Sequence, residues 1–210
     1  MLTHVVGLDE LRTNGNMVEV GALVSLRKLE EFFQKSLPEF HHILWIFGSP
    51  QIRYAGTLAG NIANGSPIAD SLPFLFVTGA EVEVAGLKGA RRIKVNQLYS
   101  GYRKMVLTED EIIARIHIPM PAESVKLKLY KVSKREHLDI SSFTAAISLE
   151  RKGDKIANAQ VAYGQGHLLR RGGQRDQVHA AGLRVAADVP RQHRGVDVVQ
   201  FDIDHHGAER

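Results

Sequence analysis

Ile52-Arg53-Tyr54-Ala55-Gly56-Thr57-Leu58-Ala59-Gly60-Asn61-Ile62-Ala63-Asn64-Gly65-Ser66-Pro67-Ile68-Ala69-Asp70 is the stretch around which the rest of the 210-residue chain is organised. Gly56, Ala59, Gly60 and Gly65 carry no bulky side chain, so backbone N–H groups can come close to a phosphate. Successive N–H groups in such turns form an anion-binding concavity. Thr57, Asn61, Asn64 and Ser66 add donors and acceptors for a sugar or a heteroaromatic ring, and Asp70 can accept from hydroxyls at the start of the next helix. No nucleophile stands beside a base here, so no catalytic residue is expected. The same composition also suits an ordinary surface turn. Leu58 and Ile62, recurring inside the polar run, and the apolar Leu72–Val77 that follows instead predict a loop pinned to a core.

Composition narrows the function classes. An apolar share of 44% is ample for a buried core. The formal charge of +4 would allow a nucleic-acid partner. The basic residues, however, are interspersed with acids and form no run with interleaved aromatics, so none is expected. The chain has no cysteine, which excludes disulfides, thiolate zinc sites, a cysteine nucleophile and a thiolate-ligated iron–sulphur cluster. No segment reaches the length of a membrane span and the amino end has no signal-like pattern, so a cytoplasmic location is expected. The stretch contains neither G-x-x-x-x-G-K-[ST] nor G-x-G-x-x-G between a strand and a helix.

Along the chain, Thr13-Asn14-Gly15-Asn16 is a turn signal, and Met17–Val24 alternates as a strand. Ser25 then caps a helix in which Leu26, Leu29, Phe32 and Phe33 share a face, and Pro38 ends or interrupts it. A second helix is expected over Phe40–Phe47, closed by Gly48 and Pro50. After Asp70 the pattern predicts a short apolar helix to Thr78-Gly79, a hairpin from Glu81–Val84 through Leu87-Lys88-Gly89 to Arg91–Val95, and a strand over Ile112–Ile118. Pro119 and Pro121 mark a domain boundary. Beyond them Val125, Leu127 and Leu129 alternate with Lys126, Lys128 and Tyr130, and two further strands follow around Arg151-Lys152-Gly153-Asp154.

The texture changes after Gly164. Every lysine precedes that point, while residues 165–210 use only arginine and hold half of the histidines. Hydrophobic periodicity fades, and Val196–Ile203 is an apolar patch fitting neither helix nor strand template. We expect residues 165–210 to be poorly ordered, and a reading-frame change is the economical explanation. Asp202, Asp204, His205 and His206 have the composition of a metal site. Adjacent histidines point apart on any regular element, so no metal ligand is assigned. His41 and His42 read as helix surface and a packed ring.

The runs Phe47-Gly48-Ser49-Pro50-Gln51-Ile52-Arg53 and Gly56-Thr57-Leu58-Ala59-Gly60-Asn61-Ile62-Ala63-Asn64-Gly65-Ser66-Pro67-Ile68-Ala69-Asp70-Ser71 resemble the FAD-binding domain of xanthine dehydrogenases, in the molybdopterin dehydrogenase flavoprotein family. Tyr102-Arg103-Lys104, Ile116-His117-Ile118-Pro119, Tyr130-Lys131-Val132-Ser133-Lys134-Arg135-Glu136 and Asp139-Ile140-Ser141-Ser142 follow in the family's order. The likeness covers residues 1–164 and is sharpest over 47–71. It implies an α+β fold: residues 1–121 as the second subdomain of a two-part (PCMH-type) FAD-binding domain, 122–164 as the beginning of a truncated, strand-rich flavoprotein C-terminal domain, and 165–210 as an unassigned tail. It also implies that the chain opens after another small subdomain with its own glycine-rich loop.

Residue by residue, the resemblance sets Thr57, Leu58, Ala59, Gly60 and Asn61 against the FAD, with Asp70 a further contact. It sets Phe47 and Ile113 beside the isoalloxazine, and Lys131 where a cation stabilises negative charge on the reduced ring. Ala59 departs from the family's usual glycine, and its methyl group could obstruct approach to the pyrophosphate. The implied function is passage of electrons, in purine catabolism, from a molybdenum centre through iron–sulphur clusters on other parts of a complex to FAD and then NAD. The implied partners are a molybdenum-cofactor subunit and an iron–sulphur domain. The chain alone is expected to be inactive. Two other readings stand beside this one: a non-catalytic remnant or assembly module that has lost FAD, and the flavin subunit of a related molybdenum hydroxylase such as carbon monoxide dehydrogenase.

Overall fold

The computed structural model describes residues 5–101, 103–153, 155–165 and 196–201. Strands β1 (Leu11–Asn14) and β2 (Met17–Gly21) form the hairpin expected from Asn14-Gly15-Asn16, with Gly15 at φ +58°, a left-handed turn that suits glycine. Ser25 caps α1 (Leu26–Ser36), its hydroxyl accepting from the Lys28 N–H. Leu26, Leu29 and Phe33 are buried on one face of α1, and Phe32 packs against the core's edge.

The second helix, α2 (Pro38–Trp45), starts earlier than its apolar spacing suggested. Pro38 opens it because its fixed φ and missing N–H suit the first helical position.

The glycine-rich stretch corrects the sequence reading most. It is not a loop but two short helices, α3 (Pro50–Ala55) and α4 (Leu58–Asn64), followed by α5 (Leu72–Val77). Thr57 caps α4 by accepting from the Gly60 N–H at 3.0 Å. Leu58 and Ile62, one turn apart, are both fully buried. Gly65 ends the helix in the left-handed region at φ +56°. Capping and burial outweigh the low helix propensity of Gly60, Asn61 and Asn64.

Strands β3 (Glu81–Gly86) and β4 (Gly89–Lys94) make the expected hairpin. A 3-10 turn at Val95–Gln97 leads to β5 (Tyr99–Gly101), which pairs with β6 (Lys104–Met105). Then comes β7 (Ile112–Pro119). The first sheet is antiparallel throughout, in the order β1-β2-β7-β3-β4. Val18, Val20, Val82, Val84, Ile93, Ile116 and Ile118 join the helices in one core cluster, where Phe40 stacks on Phe74. Between β3 and β7 the register shifts, so that Glu83 faces Arg115 but Val84 faces Ile113. Strict alternation would place Ile113 with Arg115 and His117. The bulge at Ala114 instead turns it toward the core, where it is 8% exposed.

The second sheet holds β8 (Val125–Val132), β9 (Phe143–Lys152), β10 (Lys155–Gln165) and β11 (Val196–Phe201), antiparallel in the order β11-β10-β9-β8. Val196–Phe201, which no local pattern marked as a strand, pairs with β10 from Ala159 to Gly164. Leu127 and Leu129 of β8 are buried while Lys126 and Lys128 are exposed, as the alternation predicts. Ala146 of β9 and Ala162 of β10 are fully buried, and α5 packs on both strands. Their methyl side chains allow the close approach. The tail carboxylates and histidines, Asp202, Asp204, His205 and His206, lie outside the described residues, as does Tyr102. Among the described residues no helix is long and apolar enough to cross a membrane.

Candidate functional site

Three chain segments meet beside the start of the second sheet. The first is the turn Ile46–Gly48 after α2, the second is Asp70 ahead of α5, and the third is the end of β8 with Ser141 beyond it. Lys131 joins them. Its ammonium group donates to Asp70 Oδ2 at 2.8 Å and to the carbonyl oxygen of Ile46 at 2.9 Å. Asp70 also accepts from the Ser141 hydroxyl through its other oxygen. The side chains of Lys131 and Asp70 are 3% and 8% exposed, so the ion pair is buried. Breaking such a pair is costly, because whichever charge remains has no solvent to receive it. The cation expected to act on a cofactor therefore stands beside its own counter-ion, and the two together carry little net charge.

Lys131 occupies this place because β8 alternates: Leu127 and Leu129 point inward, and residue 131 is the next inward position.

The start of α4 forms the second part of the site. An antiparallel bridge joins Ser25 and Thr57, and the Leu26 N–H donates to the Gly56 carbonyl at 2.8 Å, so two helix caps sit side by side. The N–H groups of Gly60 and Asn61 are taken by Thr57, through its hydroxyl and its carbonyl oxygen at 3.0 Å each. These two N–H groups are therefore not the open phosphate cradle expected of a loop. What Gly60 offers is space on an exposed turn, where an added Cβ would meet only Thr57 Oγ1, at 3.1 Å. Asn61 is half-buried, and its Oδ1 accepts from the buried Ser71 hydroxyl, which ties α4 to the residue beside Asp70.

The other expected contacts divide. Leu58 and Ala59 send their side chains into the core, at 0% and 6% exposed. The methyl group of Ala59 thus lies away from the open side and does not obstruct approach over Gly60. Phe47 is half-buried against the core's edge. Ile113, opposite Val84, belongs to the core and presents at most a small edge. The structure thus gathers Phe47's segment, Asp70 and Lys131 in one corner, links Asn61 to it through Ser71, and keeps Leu58, Ala59 and Ile113 behind as support.

Several contributors carried no role in the sequence reading. Ser141 and Ser71 fall in quoted stretches yet are too common a residue type to single out. Glu30 is 2% exposed on the buried face of α1, one turn after Leu26, where helical spacing marks it as interior. It pairs with Arg53 of α3. Tyr99 donates to the Ile62 carbonyl at 2.7 Å near the end of α4, and burial pushes its phenol well above the ordinary range. At Gly65 a Cβ would come within 3.2 Å of the Tyr99 ring, a second reason for glycine there.

Comparison with known proteins agrees with the fold. Residues 1–121 match the family described as the FAD binding domain in molybdopterin dehydrogenase. The chain is 35% identical over 176 residues to xanthine dehydrogenase of Blastobotrys adeninivorans, covering 75% of this chain and 12% of that protein. It is 31% identical over 162 residues to the carbon monoxide dehydrogenase medium chain of Afipia carboxidovorans, covering 76% of this chain and 56% of that one. Reconstituted CO dehydrogenase from Oligotropha carboxidovorans superposes with a TM-score of 0.69 at 29% identity, over 74% of this chain and 55% of that chain. The chain thus spans less than two thirds of the length of the relatives it matches. With a matching α+β fold and a family match over most of the described residues, this chain belongs to the FAD-binding domains of the molybdopterin dehydrogenases.

Proposed function

We propose that this chain contributes the flavin portion of a xanthine dehydrogenase-like complex, taking electrons from iron–sulphur clusters carried elsewhere and passing them through FAD to NAD. The observation that carries the reading is the convergence of Phe47's segment, Asp70 and Lys131, from three distant parts of the sequence, on one buried ion pair. When bound, FAD accepts electrons one or two at a time, and so can join one-electron clusters to a two-electron acceptor.

The chain's own residues bind and orient it. Gly60 leaves room on the exposed turn of α4, with Thr57 and Asn61 beside it to hydrogen-bond. Phe47 supplies an apolar face, and Ile113 adds its small exposed edge. Asp70 and Lys131 close one end with a donor and an acceptor whose charges nearly cancel. As negative charge develops nearby, the Lys131 ammonium is the group placed to stabilise it, damped by Asp70. This stretch holds no cysteine, so thiolate-bound clusters, like the molybdenum cofactor, belong to other parts of the complex. We take Pro121 as the boundary between the FAD-binding part and the strand-rich part, and the cytoplasm as the location.

Three measurements test the reading. Addition of FAD to the purified chain should perturb the visible flavin spectrum at near-stoichiometric ratio, and free-flavin behaviour would favour the module that has lost FAD. The buried methyl of Ala59 removes one ground for that rival. The run Asn64-Gly65-Ser66-Pro67-Ile68-Ala69-Asp70 favours the xanthine dehydrogenase type over the carbon monoxide dehydrogenase type. Co-purification with a subunit complex that forms urate from xanthine and NAD would decide between them. The chain alone, with FAD supplied, should form no urate; sustained turnover would sink the division of labour.

A further inference from the structure

Phe47 stands between two backbone carbonyls, and each of them accepts from a buried cation. The carbonyl of Ile46 receives Lys131 Nζ at 2.9 Å, and the carbonyl of Gly48 receives Arg53 Nη1. Each cation lies beside a carboxylate: Asp70 is 2.8 Å from Lys131, and Glu30 Oε2 is 3.0 Å from Arg53 Nε, while Glu30 Oε1 accepts from Arg27, which also pairs with Glu31. The side chains of Lys131, Asp70, Arg53 and Glu30 are 3%, 8%, 7% and 2% exposed. Their interactions are therefore little screened by solvent.

The turn they hold is not one the chain adopts easily. Gly48 sits at φ +123°, outside the ranges that other residues favour, and no helix or strand encloses Ile46–Gly48. The N–H groups of Ile46 and Phe47 donate back to the carbonyls of His42 and Leu44 at the end of α2, while the carbonyls of Ile46 and Gly48 are held by side chains from outside the bend. Here the Ile46 carbonyl is gripped by β8, far along the chain, and the Gly48 carbonyl by the neighbouring helix α3. Buried ion pairs are a poor source of stability compared with apolar side chains of the same size, and their best-attested use is to fix geometry.

We propose that Arg53 with Glu30, and Lys131 with Asp70, are positioning residues that clamp the carbonyls of Ile46, just before Phe47, and of Gly48, just after it, and so fix the Phe47 ring against the flavin. The role of Arg53 and Glu30 rests, in its last clause, on the flavin reading above. The guanidinium suits the task because its fork reaches Glu30 through one nitrogen and Gly48 through another, which a single ammonium cannot do in the same geometry.

The test reads Phe47 directly. With 4-fluorophenylalanine introduced at position 47 alone, the 19F signal of the full chain should be shifted from its unfolded position and sharp. In the double variant Glu30→Met/Arg53→Met, which leaves neither charge unpaired in that contact, the signal should move toward the unfolded shift and broaden. FAD affinity should fall about tenfold. Arg53→Lys keeps the charge beside Glu30 and gives up the fork; it should loosen the signal too, and it stands in if the double variant fails to fold. Glu111→Gln, which removes the carboxylate paired with Arg91 of β4, should lower Tm without moving the signal.

An unmoved Phe47 signal in a folded Arg53 variant overturns the clamp, as does an equal shift in Glu111→Gln. If the signal loosens while the wild-type chain, the double variant and Phe47→Ala all treat FAD alike, the clamp stands and the flavin role of Phe47 falls.

Discussion

Gly164 of β10 lies against the carbonyl of Pro67, so close that a methyl group in place of its hydrogen would come within 2.3 Å of the oxygen. The same methyl would stand 2.9 Å from Thr144 Oγ1, so it has no direction in which to yield. Gly164→Ala should therefore push the second sheet away from the turn that leads to Asp70. The expected loss is about 1–3 kcal/mol, the usual range for overpacking. Thermal or urea unfolding measures it, and an unchanged midpoint would mean the contact is looser than described.

Lys131→Met leaves Asp70 buried beside Ser141 with no cation. That should cost about 3 kcal/mol. Adding Asp70→Asn to the same chain should restore most of the loss, because a neutral amide tolerates burial without a counter-ion. A double-mutant cycle by chemical denaturation gives the coupling, and additive losses would contradict the ion pair.

Gly60→Val should abolish any perturbation of the flavin spectrum while leaving the fold intact. The new side chain projects from an exposed turn and meets only the Thr57 hydroxyl, so the change in stability should stay within about 1 kcal/mol. Unchanged flavin binding would remove α4 from the site.

Arg91 and Glu111 tie β4 to the start of β7, with Arg91 Nε 2.7 Å and Nη2 2.9 Å from the two carboxylate oxygens. The Arg91 hydrogen bonds foremost, with the Thr108 N–H behind them, bring the Glu111 pKa down to about 2 from an ordinary 4.5. A depressed acid stabilises the fold above its unfolded pKa, and that contribution disappears as pH falls through the folded one. The Tm difference between wild type and Glu111→Gln should thus be constant above pH 5, shrink below 4.5 and vanish near 2. A difference that persisted at pH 2 would show another cause.

Where residues act locally, the sequence was readable. Ser25 predicted a cap and provides one, and the alternation of Leu127 and Leu129 with Lys126 and Lys128 is the one the sequence showed. Where burial decides, it was not. Gly60, Asn61 and Asn64 argue against a helix, and only the contacts of Leu58 and Ile62 with distant strands make α4 worth forming. The bulge at Ala114 has no signature of its own, since it depends on which residues of β3 lie opposite. Helical spacing puts Glu30 on the inner face of α1, but only the packing of α3 on α1 brings Arg53 to it. Of the site, the family stretch indicated Asp70, Phe47 and Lys131 as separate contacts, and only the fold shows two of them bonded to each other.

The sheet order carries a further implication for how this chain acquires its structure. β2 and β7 are neighbours, with Val18 opposite Ile118, yet all five helices and the β3–β4 hairpin intervene between them. The central strand of the first sheet is thus the last of that sheet to arrive. Until it does, β1–β2 is an isolated hairpin, and β3–β4 has an open edge at β3, where Val82 and Val84 lie. Closing so long a loop is entropically slow, so folding should be late and concerted, with a rate set by the docking of Ile113, Ile116 and Ile118. During that interval the unfilled slot between β2 and β3 is an invitation to strands from other molecules, and chaperone dependence during synthesis is its natural consequence.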